Sequence, residues 1–273
     1  VALPEPQLTA PPEAAIPERA LLPRLLTWST WLAFIILFVV SVRATNFRLD
    51  DLWGSTVRFV QFFRNFWPPD WQRALPQIWQ PLIQTLQMAW LGTLFGVILG
   101  APWVFWSSRN TTPNGIFMWL ARTFLTVVRS VPDLLYAAVF VGILSFGPLP
   151  GVVALTIFTF SILAKLGSEY VEAIDPGPVE ALKASGATGT QVIVYAVIPQ
   201  VAASMVSYIL YIFEVNVRAS TILGFVGAGG VGQTLQVYIS LFQYRRIAVL
   251  LIVTFGVVAL IDAAAAYVRS RLT

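Results

Sequence analysis

The sequence predicts an all-α, polytopic membrane protein with about six transmembrane helices. Three observations predict it. Of its 273 residues 57% are hydrophobic and only 11% charged, and mean hydropathy is +0.75; soluble domains are far more polar. The apolar residues fall in long runs near the ~20 residues a helix needs to cross a bilayer. Polar residues are gathered into the stretches between those runs.

Composition also excludes chemistry. Cysteine and histidine are both absent. That removes disulfides, thiolate nucleophiles, Ser-His-Asp triads and histidine metal ligands. The formal charge of +4 is spread over several segments, without the basic run that nucleic acid attracts. No catalytic or metal-binding residues are expected.

Residues 1–24 carry six prolines and three glutamates and read as a disordered cytosolic tail. The first span is expected at 25–42. No basic start precedes this run and no cleavage site follows it, so it reads as an uncleaved signal anchor. An extracytoplasmic connector, residues 43–80, comes next. Within it LWGSTVRFVQFFRNFW sets Arg58, Gln61 and Arg64 against aromatics at helical spacing, the pattern of an interfacial helix or of one packed on the transmembrane core.

The second span runs from about Ile83 to Trp106, with Gly92, Gly96 and Gly100 on one face, where small residues let another helix approach closely. The loop 107–115 ends it. The third segment, Ile116 to Phe146, has 31 residues, or roughly 46 Å of straight helix, too long for one untilted crossing. It holds Arg122, Arg129, Pro132 and Asp133. Two paths are open: a surface-lying first half with a span from about Val131, or one long tilted helix. The fourth span covers about Leu149 to Leu166, the fifth Gln191 to Phe213, and the sixth Ile247 to Val268. With both termini cytosolic, the basic residues of loops and ends divide seven to seven, so charge bias does not orient the chain.

Two polar stretches carry the functional expectations. The first lies in the loop 169–190. A short helix is expected after Asp175, capped by its side chain, with a proline in the first turn and Gly186 as the left-handed closing residue. At roughly eight residues it is too short to stand alone, so it must dock on something. Thr190 is expected to cap the next helix, which is kinked at Pro199. The second stretch is Glu214 to Gln233. Glu214 and Arg218 are four apart and can pair, and Asn216, Ser220 and Thr221 add hydrogen-bonding groups. Charge at membrane depth faces a bundle interior or a polar path, so these residues either line a path or hold helices together. Arg129 and Asp133 are open to the same two readings. Asp262 is expected to pair with a basic group or stay near the interface. Gly224, Gly227, Gly229, Gly230 and Gly232 contain a G-x-G-x-x-G spacing. No βαβ unit surrounds it, so they are read as turn or gate glycines where chain re-enters or leaves the membrane.

The stretch Glu180 to Pro199 resembles the EAA loop of ABC importer permeases, in Glu180, Ala181, Gly186 and Ile198-Pro199; Leu182 and Ala196 depart from the pattern. RSVPDLLYAAVFV from Arg129, EYVEAIDPGPVEALKASGAT from Glu169 and FEVNVRASTILGFVGAGGVG from Phe213 together resemble the membrane subunit of phosphonate ABC importers. The similarity runs from about residue 80 to the C-terminus. It implies a type I importer permease fold (MetI-like) in a bacterial inner membrane, with residues 81–273 as the permease core and 169–190 as the cytosolic coupling loop.

It further implies a homodimer, two ATPase subunits that use ATP and Mg, an extracytoplasmic substrate-binding protein, and no cofactor on this chain. Glu180, Ala181, Leu182, Lys183, Gly186 and Ala187 would contact the ATPase. The cargo would be phosphonate, phosphate, phosphite or another small oxyanion. Arg218 and Arg129 would favour that anion, and Glu214 and Asp133 would limit how tightly it is held. Two competing readings leave the docking helix idle. A stand-alone ion-coupled carrier or channel calls for inverted repeats, and none is evident. An intramembrane enzyme would have only Lys165 and Ser168 to build on.

Overall fold

The computed structural model describes residues 21–45, 59–112 and 114–271, with the side chains of 21–25 set aside. The expected N-terminal tail falls outside these residues up to position 20, as does the first part of the expected interfacial helix, residues 52–58; its residues 59–64 are helical. The chain divides into two units, residues 1–61 and 62–273.

The first unit holds α1, Leu21–Ala44. Its apolar window is exposed along its whole length within the unit, the condition of a helix whose solvent is lipid.

The second unit is a helical bundle. Helix α2, Trp71–Trp106, has 36 residues and spans about 54 Å. It starts well before Ile83 and takes in the last ten residues of the expected connector. Pro76 and Pro81 lie inside it, and prolines are tolerated in membrane helices because neighbouring groups satisfy the freed carbonyls. Helices α3, Gly115–Ser130, and α4, Asp133–Leu144, follow. Helices α5, Pro148–Glu172, and α6, Pro176–Ala184, come next. Helix α7, Gly189–Val192, passes through a π turn, Ile193–Val197, into α8, Ile198–Leu223. Helices α9, Gly230–Ser240, and α10, Tyr244–Arg269, complete the chain.

The third segment is a bent pair. Helices α3 and α4 meet at 79°. The cause is local: Pro132 pushes Val131 out of the helical region, to φ −90°, ψ 122°. The proline break is as expected, but the span drawn from Val131 is not. Helix α4 has 12 residues, about 18 Å, too short to cross alone. Among the described residues five helices are long and apolar enough to span, or six with the bent pair taken as one crossing.

The glycine face of α2 is a packing surface. A Cβ on Gly96 would lie 2.3 Å from Thr159 Cβ, and one on Gly92 would lie 2.5 Å from Leu155 Cβ. Helices α2 and α5 are therefore in backbone-close contact. Three apolar clusters follow α2 along its length. Ile78, Leu82, Tyr238 and Leu250 form one near its start, and Met88, Leu155 and Leu223 one at its middle. The third, near its end, holds Val104, Leu163, Val171, Val192 and Val179 of the short helix α6.

Candidate functional site: a capped docking helix and a charged bundle interior

Helix α6 is closed at both ends by its own sequence. The Asp175 carboxylate accepts from Gly177 N at 2.9 Å, and Pro176 opens the first turn. At the other end Gly186 takes φ +83°. Ala187 N donates to Leu182 O at 3.0 Å and Gly186 N to Lys183 O at 3.1 Å, the Schellman pattern that satisfies the last carbonyls. Val179 is buried and Leu182 half-buried, both against the cluster that contains Val171 and Val192. The opposite face, with Glu180, Ala181 and Lys183, is exposed, as is Gly186. The six expected coupling residues thus divide: Leu182 and Ala187 face inward, and the other four are free to meet a partner.

The cap of the following helix is Thr188, not Thr190. Thr188 and Gln191 form a reciprocal capping box, a pairing for which Thr190 lacks the glutamine three residues on. Sequence reading also missed Gln200. Its side chain accepts from Asp175 N at 3.1 Å and donates to Ala196 O at 2.8 Å. One residue of α8 therefore holds the start of α6. Beside it, Glu172 at the end of α5 accepts from Arg109 N at 2.8 Å and pairs with Arg122. Arg122 Nε in turn donates to Ser107 O at 2.8 Å, and Asn110 Nδ2 donates to Val171 O at 2.9 Å. The ends of α2 and α5 and the body of α3 are joined next to α6. The signal available in the sequence was Glu172 and Arg122 as charges near apolar runs, but nothing in their spacing pairs them.

Inside the bundle, the expected Glu214–Arg218 pair does not form. Glu214 pairs with Arg269, and Arg218 pairs with Asp262 at 3.1 Å. Helix α10 packs beside α8 and offers each charge an opposite partner. Asp262 thus has the basic partner expected of it. Asn216 and Ser220 are fully buried. The Asn216 amide donates to Thr93 on α2 at 2.8 Å and to Thr159 on α5 at 2.7 Å, while Ser220 bonds back to Val217 O. In this conformation Asn216 ties three helices together rather than lining a path.

Arg129 and Asp133 are separated by the extended Val131 and do not pair. Asp133 accepts from Leu134 N at 2.9 Å, at the positive end of α4. Arg129 has no carboxylate within 4.0 Å among the described residues. It faces a cavity of about 320 Å³, lined by Phe158 and Ile162 of α5 and Tyr208 and Tyr211 of α8. The rings of those two tyrosines stack at 6.0 Å.

The glycine-rich stretch is a tight turn between α8 and α9. Gly227 has φ +93° and accepts through its carbonyl from Gly147 N at 3.0 Å. A Cβ on Gly232 would fall 1.9 Å from Thr221 O. Backbone here touches backbone, which only glycine permits.

Residues 92–273 match the family described as "binding-protein-dependent transport system inner membrane component", and the chain belongs to that family. Several of its relatives are named as permeases for phosphite, phosphate or phosphonate. It is 40% identical over 204 residues to the phosphite transport system permease protein PtxC of Stutzerimonas stutzeri, covering 75% of this chain and 74% of that one. It is 49% identical over 109 residues to a putative cryptic phosphonate transport system permease protein, PhnE2, of Escherichia coli, covering 40% of this chain and 89% of that one. A chain of the inward-facing MetNI methionine ABC transporter superposes with a TM-score of 0.66 at 22% identity, over 74% of this chain and 99% of that one. The all-α, MetI-like fold expected from sequence is the fold observed.

Proposed function

We propose that this chain is the membrane-spanning subunit of an ATP-driven importer for phosphonate, phosphite or phosphate. Two copies would form the pathway, with one ATPase subunit docked on the α6 of each and a substrate-binding protein delivering cargo on the opposite face. Both termini would then be cytosolic. The observation that carries this reading is α6 itself. It is a nine-residue helix, capped at both ends and anchored by Val179 and Leu182, and its free face does nothing for this chain. A helix this short gains its stability from docking, and its outward face is built for a partner.

Movement of that partner has a physical route inward. Gln200 links the start of α6 to α8, and Glu172 links the end of α5 to α2 and α3. A push on α6 therefore reaches four helices of the bundle, α2, α3, α5 and α8. ATP and Mg act in the partner subunits; this chain supplies the lever and the path. On that path Arg129 is a cation with no carboxylate partner among the described residues, facing the cavity that Tyr208 and Tyr211 line. An anion passing it gains attraction without displacing an internal carboxylate.

The test is co-purification in detergent of this chain with a phosphonate-type ATPase, as native chain and as Glu180→Arg. The expected result is a stable complex that is lost on substitution. A native chain that binds no such ATPase yet moves oxyanions alone in liposomes would overturn the reading in favour of a stand-alone carrier.

A further inference from the structure

The strongest feature that this reading leaves unused lies at the opposite end of α2 from α6. There a cavity of about 510 Å³ is lined by Arg73 at the start of α2, Arg245 and Arg246 at the start of α10, and Asn65, Asp70 and Gln243. We propose that this cavity is an anion site that takes a small phosphorus oxyanion from solution, outside the membrane-embedded bundle. The choice of ligand rests on the function proposed above; the existence of the site does not.

Charge comes first. Asp70 is the one carboxylate among the lining residues, and it is already engaged. One oxygen accepts from Arg73 N at 3.4 Å, and the other lies 3.9 Å from Arg246 Nε. The Arg73 and Arg245 side chains have no carboxylate within 4.0 Å among the described residues, so the cavity carries a net positive charge.

Rigidity comes second. Asp70 N donates to Arg245 O at 3.3 Å, which joins the two helix starts. Arg246 is steered by Gln243 at 3.0 Å and Gln77 at 3.5 Å. Arg246 is thereby taken up in the cavity wall, and the guanidinium forks of Arg73 and Arg245 are left to meet a tetrahedral oxyanion with paired charge-assisted hydrogen bonds.

Position comes third. Helix α2 is about 54 Å long, against a hydrocarbon core of about 30 Å. With its α6 end at one interface, its Arg73 end lies beyond the other. Arginines there are reachable from water and concentrate anions at the mouth of the bundle.

Two sources share this chemistry, a dissolved oxyanion and the phosphate of a lipid headgroup. The test separates them. The full chain is placed in nanodiscs of phosphatidylcholine and, separately, of phosphatidylglycerol, and titrated with inorganic phosphite while phosphorus NMR line widths are followed. Saturable binding is expected in both lipids, with affinity at least about tenfold weaker in Arg73→Gln/Arg245→Gln and falling with added salt. Arg73→Lys/Arg245→Lys keeps the charge and should recover part of the loss if the double glutamine variant is folded. Phosphite affinity unchanged by the glutamine variant overturns the site. So does broadening of the phosphatidylglycerol resonance alone, which would assign the arginines to headgroups. Binding is read on this chain without ATPase. Intact binding with no ATPase-dependent uptake would therefore tell against the proposed importer and leave the site standing.

Discussion

Arg218 and Arg129 are both arginines of an apolar bundle, and their surroundings are opposite. Arg218 meets Asp262, and one turn away Glu214 meets Arg269. The charges of that region cancel in pairs. Among the described residues Arg129 meets no carboxylate, and it faces a cavity with two tyrosines. A membrane protein keeps a compensated charge for holding helices and an uncompensated one for doing something to a ligand. Counting arginines therefore misjudges which of them is available, because availability is decided by what the next helix presents.

Four substitutions sharpen or break this comparison. The largest expected effect is at the compensated pair. Glu214 is only 7% exposed, so Arg269→Ala strands a buried carboxylate and should cost about 3–5 kcal/mol. Thermal unfolding in detergent measures it, and Glu214→Gln/Arg269→Gln should regain most of the loss. Next is Asn216→Ala, which removes the amide that joins Thr93 and Thr159. About 1–3 kcal/mol is expected from the buried groups left unpaired, read by the same melts, and an unchanged melting point would remove Asn216 from the frame.

Arg218→Gln should cost less than Arg269→Ala, since the Arg218–Asp262 pair is more than a third exposed on both sides. Arg129→Gln should leave stability unchanged within about 0.5 kcal/mol and act on uptake instead. Oxyanion transport by the reconstituted complex should fall about tenfold or more, the loss expected when one charge-assisted contact is removed. If Arg218→Gln abolished uptake and Arg129→Gln did not, the contrast drawn between the two arginines would be wrong.

Legibility in the sequence followed range. What depends on neighbouring residues could be read. Asp175 and Gly186 cap α6 because capping is decided within a few positions, and Gly92, Gly96 and Gly100 mark a close contact because their period fixes a face. The bend at Pro132 was legible for the same reason. Partners across helices were not. Glu214 chose Arg269 over Arg218, and Glu172 chose Arg122, because these pairings depend on how helices far apart in sequence lie against each other. Helix ends inside apolar sequence were also poorly marked: α2 runs through Pro76 and Pro81 because the environment tolerates them. Gln200 carried no sequence signal, since a lone glutamine early in an apolar helix has no local pattern to betray its partner.

The π turn at Ile193–Val197 gives the link between α6 and α8 a phase as well as a length. An α-helix rotates about 100° per residue, and a π turn accommodates one residue more than an α turn. Removing a single residue from this turn would leave hydrophobicity and reach almost unchanged, and the segment could close as regular helix. Thr188 and α6 would then keep nearly their direction around the α8 axis, because the wide turn already absorbs the extra residue; one more residue there would instead turn them by about 100°, carrying Asp175 away from Gln200 and turning the Glu180 face aside. The spacing from Gly186 to Gln200 therefore acts as a setting of angle, one that tolerates a residue fewer at the π turn and not a residue more.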